Sequence, residues 1–157
     1  MVDQVDHPGP GGPPRTGWTI LALLQSQYIF NYKYTRHPRI FVAMTPAEIN
    51  KKWKALQERI ATDFDSEQPD VKVMLFLIGV QELGQGPRKF SKRQKEELMH
   101  IANCKLFSMM GFYELEGLDQ DGWPHWKLVQ VIPNYTVLEQ EMLLKSLIID
   151  YFEEANI

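Results

Sequence analysis

From Gly17 onward, apolar residues recur at three- and four-residue spacing through Trp18, Leu21, Leu24, Tyr28 and Ile29, the period of one helix face. That pattern predicts a helix over roughly residues 17–30. The stretch that follows, KYTRHPRIF, has no period, and Pro38 disfavours helical backbone just before it, so the helix ends ahead of Pro38. A second helix is marked by its start. Thr45 is a good capping residue, Pro46 suits the first helical position, and Glu48 completes an S/T-x-x-E box. Its apolar stripe is Ile49, Trp53, Leu56 and Ile60, which leaves Lys51, Lys52, Lys54 and Arg59 towards solvent.

Residues 71–80, VKVMLFLIGV, form a nearly unbroken apolar run that suits either a buried strand or a buried helix. Met74, Leu75, Leu77 and Leu83 are good helix formers and Gly84 stands where a C-terminal cap belongs, so a helix is expected; a strand here would make the fold α+β. Ser91 then caps a helix running to about Met110, where Gly111 stops it. Its buried side carries Leu98, Ile101, Ala102, Cys104 or Lys105, and Leu106, with Met109 and Met110 as gap-filling core.

Between residues 112 and 132 the period changes. Asp121-Gly122 separates two runs rich in aromatic and branched residues, the strongest short-range hairpin signal. A two-residue turn there pairs Gln120 with Trp123, sets Glu116 opposite Lys127 and Leu115 opposite Leu128, and gives Pro124 an edge position. The last helix starts at Thr136 with a box through Glu139 and has a broad apolar face of Leu138, Met142, Leu143, Ile149 and Phe152. The fold class is therefore mainly α, about five helices in a compact bundle with one β-hairpin near residues 112–132. A two-stranded hairpin is marginal alone, so this one must lean on the helices or on another protein.

Composition sharpens the outline. The stretch HPGPGGPPR, with four prolines and three glycines in nine positions, cannot form a regular element. Residues 1–15 are expected to be a flexible tail, or an arm that orders on a partner, and residues 16–157 a single globular domain. Hydrophobic residues at 44% and charged residues at 24% place the chain with soluble globular proteins rather than disordered ones. The lone cysteine, Cys104, forbids an intramolecular disulfide and any zinc site needing two thiolates, and it suits a reducing compartment. Asp3 and Asp6 stand where a secretory leader carries positive charge, and the apolar runs fall short of the ~20 residues that span a bilayer. The expected location is cytoplasmic.

Charge changes the picture most. Residues 31–60 and 85–95 hold 12 of the 17 Lys and Arg but only two of the 20 Asp and Glu, Glu48 and Glu58; the other 116 residues hold five basic and 18 acidic side chains. A modest net charge of −3 hides this segregation, and charge sorted over a surface selects partners by sign. The candidate partner- or anion-binding residues are Arg36 and Arg39 in the loop before Thr45, Lys51, Lys52 and Lys54 on the capped helix, and Arg88, Lys89, Lys92, Arg93 and Lys95 at the loop entering the helix at Ser91. They act together only if the fold brings them to one side; otherwise they are an ordinary solvated surface. The loop has the helix N-terminus that favours an anion, yet its cations oppose the same dipole, and no nucleotide-binding glycine motif surrounds it. A sequence pI near 5.8 argues against dedicated sequence-specific DNA binding.

Other chemistry is sparse. The hairpin acids Glu114, Glu116, Asp119 and Asp121, with His125 nearby and His100 on the preceding helix, could hold a hard cation or serve as acid and base; Glu114, Glu116 and His125 are the metal alternative. Asp119 and Asp121 are also ordinary turn residues, Glu116 has Lys127 to face, and the spacing is not that of an EF-hand. Trp123 and Trp126, with Tyr113, are either a contact surface beside Pro124 or the cover of the helical core. His37 reads as a loop residue and Cys104 as a buried inert thiol. No nucleophile elbow, H-E-x-x-H, kinase set or C-x-x-C is present, and no metal or cofactor is expected.

The reading favoured is a non-enzymatic cytoplasmic interaction or assembly protein that docks a larger, partly acidic partner, another protein or complex, through a basic face. RNA or other nucleic-acid or phosphate binding through that face is the alternative. A small metal-dependent hydrolase on the hairpin carboxylates is a third. A homo-oligomer is compatible with each, and no membrane span is expected.

Overall fold

The computed structural model describes residues 44–155. The expected tail, the helix over residues 17–30, His37, Arg36 and Arg39 lie outside them. Four helices and one hairpin follow in order: α1 (Pro46–Phe64), α2 (Val71–Leu83), α3 (Lys92–Ser108), β1 (Tyr113–Leu118), β2 (Pro124–Leu128) and α4 (Val137–Glu154). The described chain is therefore mainly helical α+β, and residues 71–80 are helix.

Local chemistry sets the helix starts. Thr45 Oγ1 accepts from the Glu48 amide at 3.3 Å while the Glu48 carboxylate accepts from the Thr45 amide at 2.7 Å. Thr136 and Glu139 repeat the arrangement at 3.3 and 2.8 Å. Ser91 uses a neutral version, with Gln94 Oε1 accepting from the Ser91 amide at 3.0 Å. The α2 start is an Asp70 cap, whose Oδ1 accepts from the Val73 amide at 2.9 Å.

Packing does the rest. One core cluster joins Ile49, Trp53, Leu56 and Ile60 of α1 to Met74, Leu75, Leu77 and Ile78 of α2, Ala102 and Leu106 of α3, and Leu147 to Ile149, Tyr151 and Phe152 of α4. Burial on nearly every side is why the apolar run of α2 is not amphipathic. Helix α1 packs on α4, α2 on α3, and α4 touches α2 and α3, so the last helix ties the bundle together. A second cluster, Val80, Leu83 and Leu98, is covered by Phe76, Phe90 and Trp123.

The hairpin forms where expected but in a different register. Tyr113 pairs with Leu128, Glu114 with Lys127, Leu115 with Trp126, Gly117 with His125 and Leu118 with Pro124. Lys127 thus faces Glu114 instead of Glu116, and Trp123 is not paired with Gln120. The cause is the side chain of Asp119. Its Oδ1 accepts from the amides of Asp121 at 2.9 Å and Trp123 at 2.8 Å, and the Asp119 amide donates to the Trp123 carbonyl at 2.9 Å, closing a wider loop than a two-residue turn. Glu116 is left as a bulge, next to Gly117 at φ 150°, a value that side chains rarely adopt. Pro124 is buried at the first position of its strand, where its missing N–H is harmless. Both strands lean on α3.

Candidate interaction surface

The basic residues fall into two described sets. On α1, Lys51, Lys52, Lys54 and Arg59 are exposed, because the apolar stripe takes the opposite face. Lys52 Nζ lies 2.8 Å from Glu153 Oε1 across the α1–α4 seam, and that contact holds its ammonium above the usual lysine range. Beside the pair, Lys52, Ala55, Leu56, Arg59, Ile149 and Glu153 line a groove of about 230 Å³. Among the described residues Arg59 has no carboxylate partner.

The second set spans the loop between α2 and α3 and the first turn of α3. Gly84 caps α2 in the left-handed region at φ 69°, and the Ser91 box begins α3. Between them the loop is braced against the hairpin: Gln85 Nε2 donates to the Asp121 carbonyl at 2.6 Å. Phe90 meets Phe76 edge-on with ring centroids 5.9 Å apart, and Trp123 packs into the same cluster. The Arg88 guanidinium stands 5.1 Å from the centre of the Phe90 ring. Lys89, Lys92 and Lys95 are exposed, and Arg93 reaches Glu97 at 3.0 Å in a pair too solvated to neutralise it strongly. The first turn of α3 contains no acid, whereas α1 and α4 each have a Glu there. No ion pair or hydrogen bond joins the two basic sets among the described residues.

The hairpin residues have local tasks. Glu114 faces Lys127, and Asp119 is the acceptor that shapes the turn. The Trp123 amide above all, with help from His125 at 3.3 Å, holds the Asp119 carboxyl below its usual range. Among the described residues no three His, Cys, Asp or Glu are grouped as a metal site would need. Trp123 is half-buried over the second cluster; Trp126 is half-buried too, with an indole N–H that is buried and has no partner. Burial pushes the Cys104 thiol up to about 11, opposite to the lowering that a reactive thiolate needs, with His100 Nε2 3.6 Å from its sulfur.

Sequence reasoning missed a buried polar network. Tyr151 Oη donates to Glu82 Oε1 at 2.8 Å, and Lys105 Nζ lies 4.0 Å from Glu82 Oε2, which joins α2, α3 and α4. Burial raises the Glu82 carboxyl, against the pull of Lys105 and Tyr151, and lowers the Lys105 ammonium. The neighbouring Gln81 amide is buried with neither polar atom hydrogen-bonded. The available signal was Lys105 on the apolar period of α3, where both it and Cys104 prove to be buried.

These features define a mainly helical α+β fold with exposed basic side chains on α1, on the loop before α3 and in the first turn of α3. No protein-family model, curated protein or solved structure matches the chain.

Proposed function

We propose that this protein is a non-enzymatic cytoplasmic interaction module that docks an acidic face of a larger protein or complex through Arg88 and Lys89 of the loop before α3 and Lys92, Arg93 and Lys95 of the first turn of α3. The observation that carries the reading is the bracing of that loop. Arg88 and Lys89 lie on a loop pinned by Gln85 to Asp121 and by Phe90 to Phe76, over a cluster that Trp123 also covers, and Lys92, Arg93 and Lys95 follow directly in the first turn of α3. A pre-ordered cationic surface loses less entropy on binding than a floppy one, and cations gathered at a helix N-terminus, with no acid in the first turn, are better accommodated by an acidic partner than by the free helix. Cys104 is a free buried thiol, which fits a reducing compartment.

The test is affinity purification from the native host with nuclease present, comparing the parent with a variant carrying R88E, K89E, K92E and R93E. The expected result is loss of co-purifying proteins. An unchanged set of partners would remove the proposal. Loss of all partners from the parent on nuclease treatment would move the assignment to nucleic acid, whose binding should also fall steeply with salt.

A further inference from the structure

The groove between α1 and α4 has the makings of a carboxylate receptor. Ala55, Leu56 and Ile149 give it an apolar floor, and Lys52 and Arg59 stand about two helical turns apart on the α1 side. At about 230 Å³ it has room for an aliphatic side chain or two. Lys52 is already engaged by Glu153 at 2.8 Å, while Arg59 has no carboxylate among the described residues. A guanidinium is weakly hydrated and its fork matches a carboxylate in two hydrogen bonds. An arginine beside an apolar floor therefore recognises an acid flanked by an apolar residue.

The geometry points to this groove as a second contact for a protein partner, one that seats an apolar side chain over Ala55 and an adjacent Asp or Glu on Arg59. The inference rests on the reading that the partner is an acidic protein, and it adds a site and a residue pattern. It also gives Glu153 a role. In the free protein the Glu153 carboxylate occupies the Lys52 ammonium that a carboxylate of the partner would otherwise meet, so it competes with binding. Removing that carboxylate from α4 should strengthen the complex, and the same charge change at Glu58 of α1 should not.

The test places a photoreactive residue at Thr62, one turn past Arg59, or at Glu96 beside the braced loop, in the full chain expressed in its own host. Cross-linked peptides are then identified by mass spectrometry. The expected product at Thr62 is a protein segment with an acid next to an apolar residue. Its yield should fall about fivefold with R59S, the worth of one ion pair, rise with E153Q, and stay level with E58Q. Protein cross-links at Glu96 alone, or a Thr62 product indifferent to R59S and E153Q, would overturn the groove and leave the loop reading standing. RNA or a second copy of this chain at Thr62 would overturn it as well. No protein product at either position would overturn both.

Discussion

Gly79 of α2 lies directly against the backbone of Leu98 in α3: a Cβ built on Gly79 would fall 2.8 Å from the Leu98 Cβ and overlap the Leu98 carbonyl. The close crossing explains a glycine in the middle of a helix, where it otherwise costs about 0.5–1 kcal/mol relative to alanine. Gly79→Ala should therefore destabilise the fold despite its better helix propensity, by about 1–3 kcal/mol, the usual penalty of overpacking. Urea denaturation checks this, and a gain in stability would mean that α2 and α3 can part without loss.

The Glu82–Lys105 pair should behave as one unit. Their side chains are only 10% and 6% exposed, so Glu82→Gln leaves Lys105 without its carboxylate in a poorly solvated site, at about 3 kcal/mol or more. Adding Lys105→Met removes the charge that faced Glu82 and should recover part of that loss. A double-mutant cycle in urea measures the coupling. Losses that simply add would show that the two groups do not depend on each other.

Acid should act on two groups of carboxylates with opposite signs. Burial raises Glu82 above the ordinary 4.5, so its contribution is present at low pH and is lost as pH rises through the raised value. The Thr45 hydroxyl, then its amide, lower Glu48, and the Thr136 amide, then its hydroxyl, lower Glu139; their contributions are present above 4.5 and lost as pH falls through the depressed values. Glu82→Gln removes the opposing slope, so in the window just above 4.5, where Glu48 and Glu139 already contribute in full, its stability should fall less with pH than the parent's. Denaturation midpoints taken across that window decide it, and parallel curves would mean that Glu82 does not titrate there.

Features written within four residues of one another were legible in the sequence. The boxes Thr45-Glu48 and Thr136-Glu139 and the Gly84 cap each need only local geometry. The hairpin was legible as an element through Asp121-Gly122, but its register was not, because the Asp119 side chain outcompeted the two-residue turn and Glu116 bulged out. The pairing of Glu82 with Lys105 and Tyr151 depends on how three helices cross, which no local pattern encodes. Gly79 left a hint, since a glycine inside an apolar helix suggests a close backbone approach, but nothing named Leu98 as the neighbour. For the candidate site, the sequence supplied the cations, while the bracing of their loop by Gln85 and Trp123 required the fold.

The hairpin turn and the basic loop should fail together. Asp119 holds the amides of Asp121 and Trp123, and the Asp121 carbonyl in turn accepts from Gln85 in the loop before α3. Asp119→Ala removes the acceptor and frees both amides, so Trp123 should loosen from the cluster of Val80, Leu83 and Leu98 that Phe90 also covers, and the loop should lose its brace. Asp119→Asn keeps an oxygen that can accept from both amides and should leave the turn closed. Hydrogen exchange at the Asp121, Trp123 and Phe90 amides reads the effect: faster in the alanine variant at all three, near the parent in the asparagine variant. The Asp119 carboxyl is held below the ordinary 3.8, so the same loosening should appear in the parent as pH falls through its depressed value. If the turn amides exchange faster in Asp119→Ala while Phe90 does not, the brace is not what orders the loop, and its cations are positioned by the Ser91 cap alone.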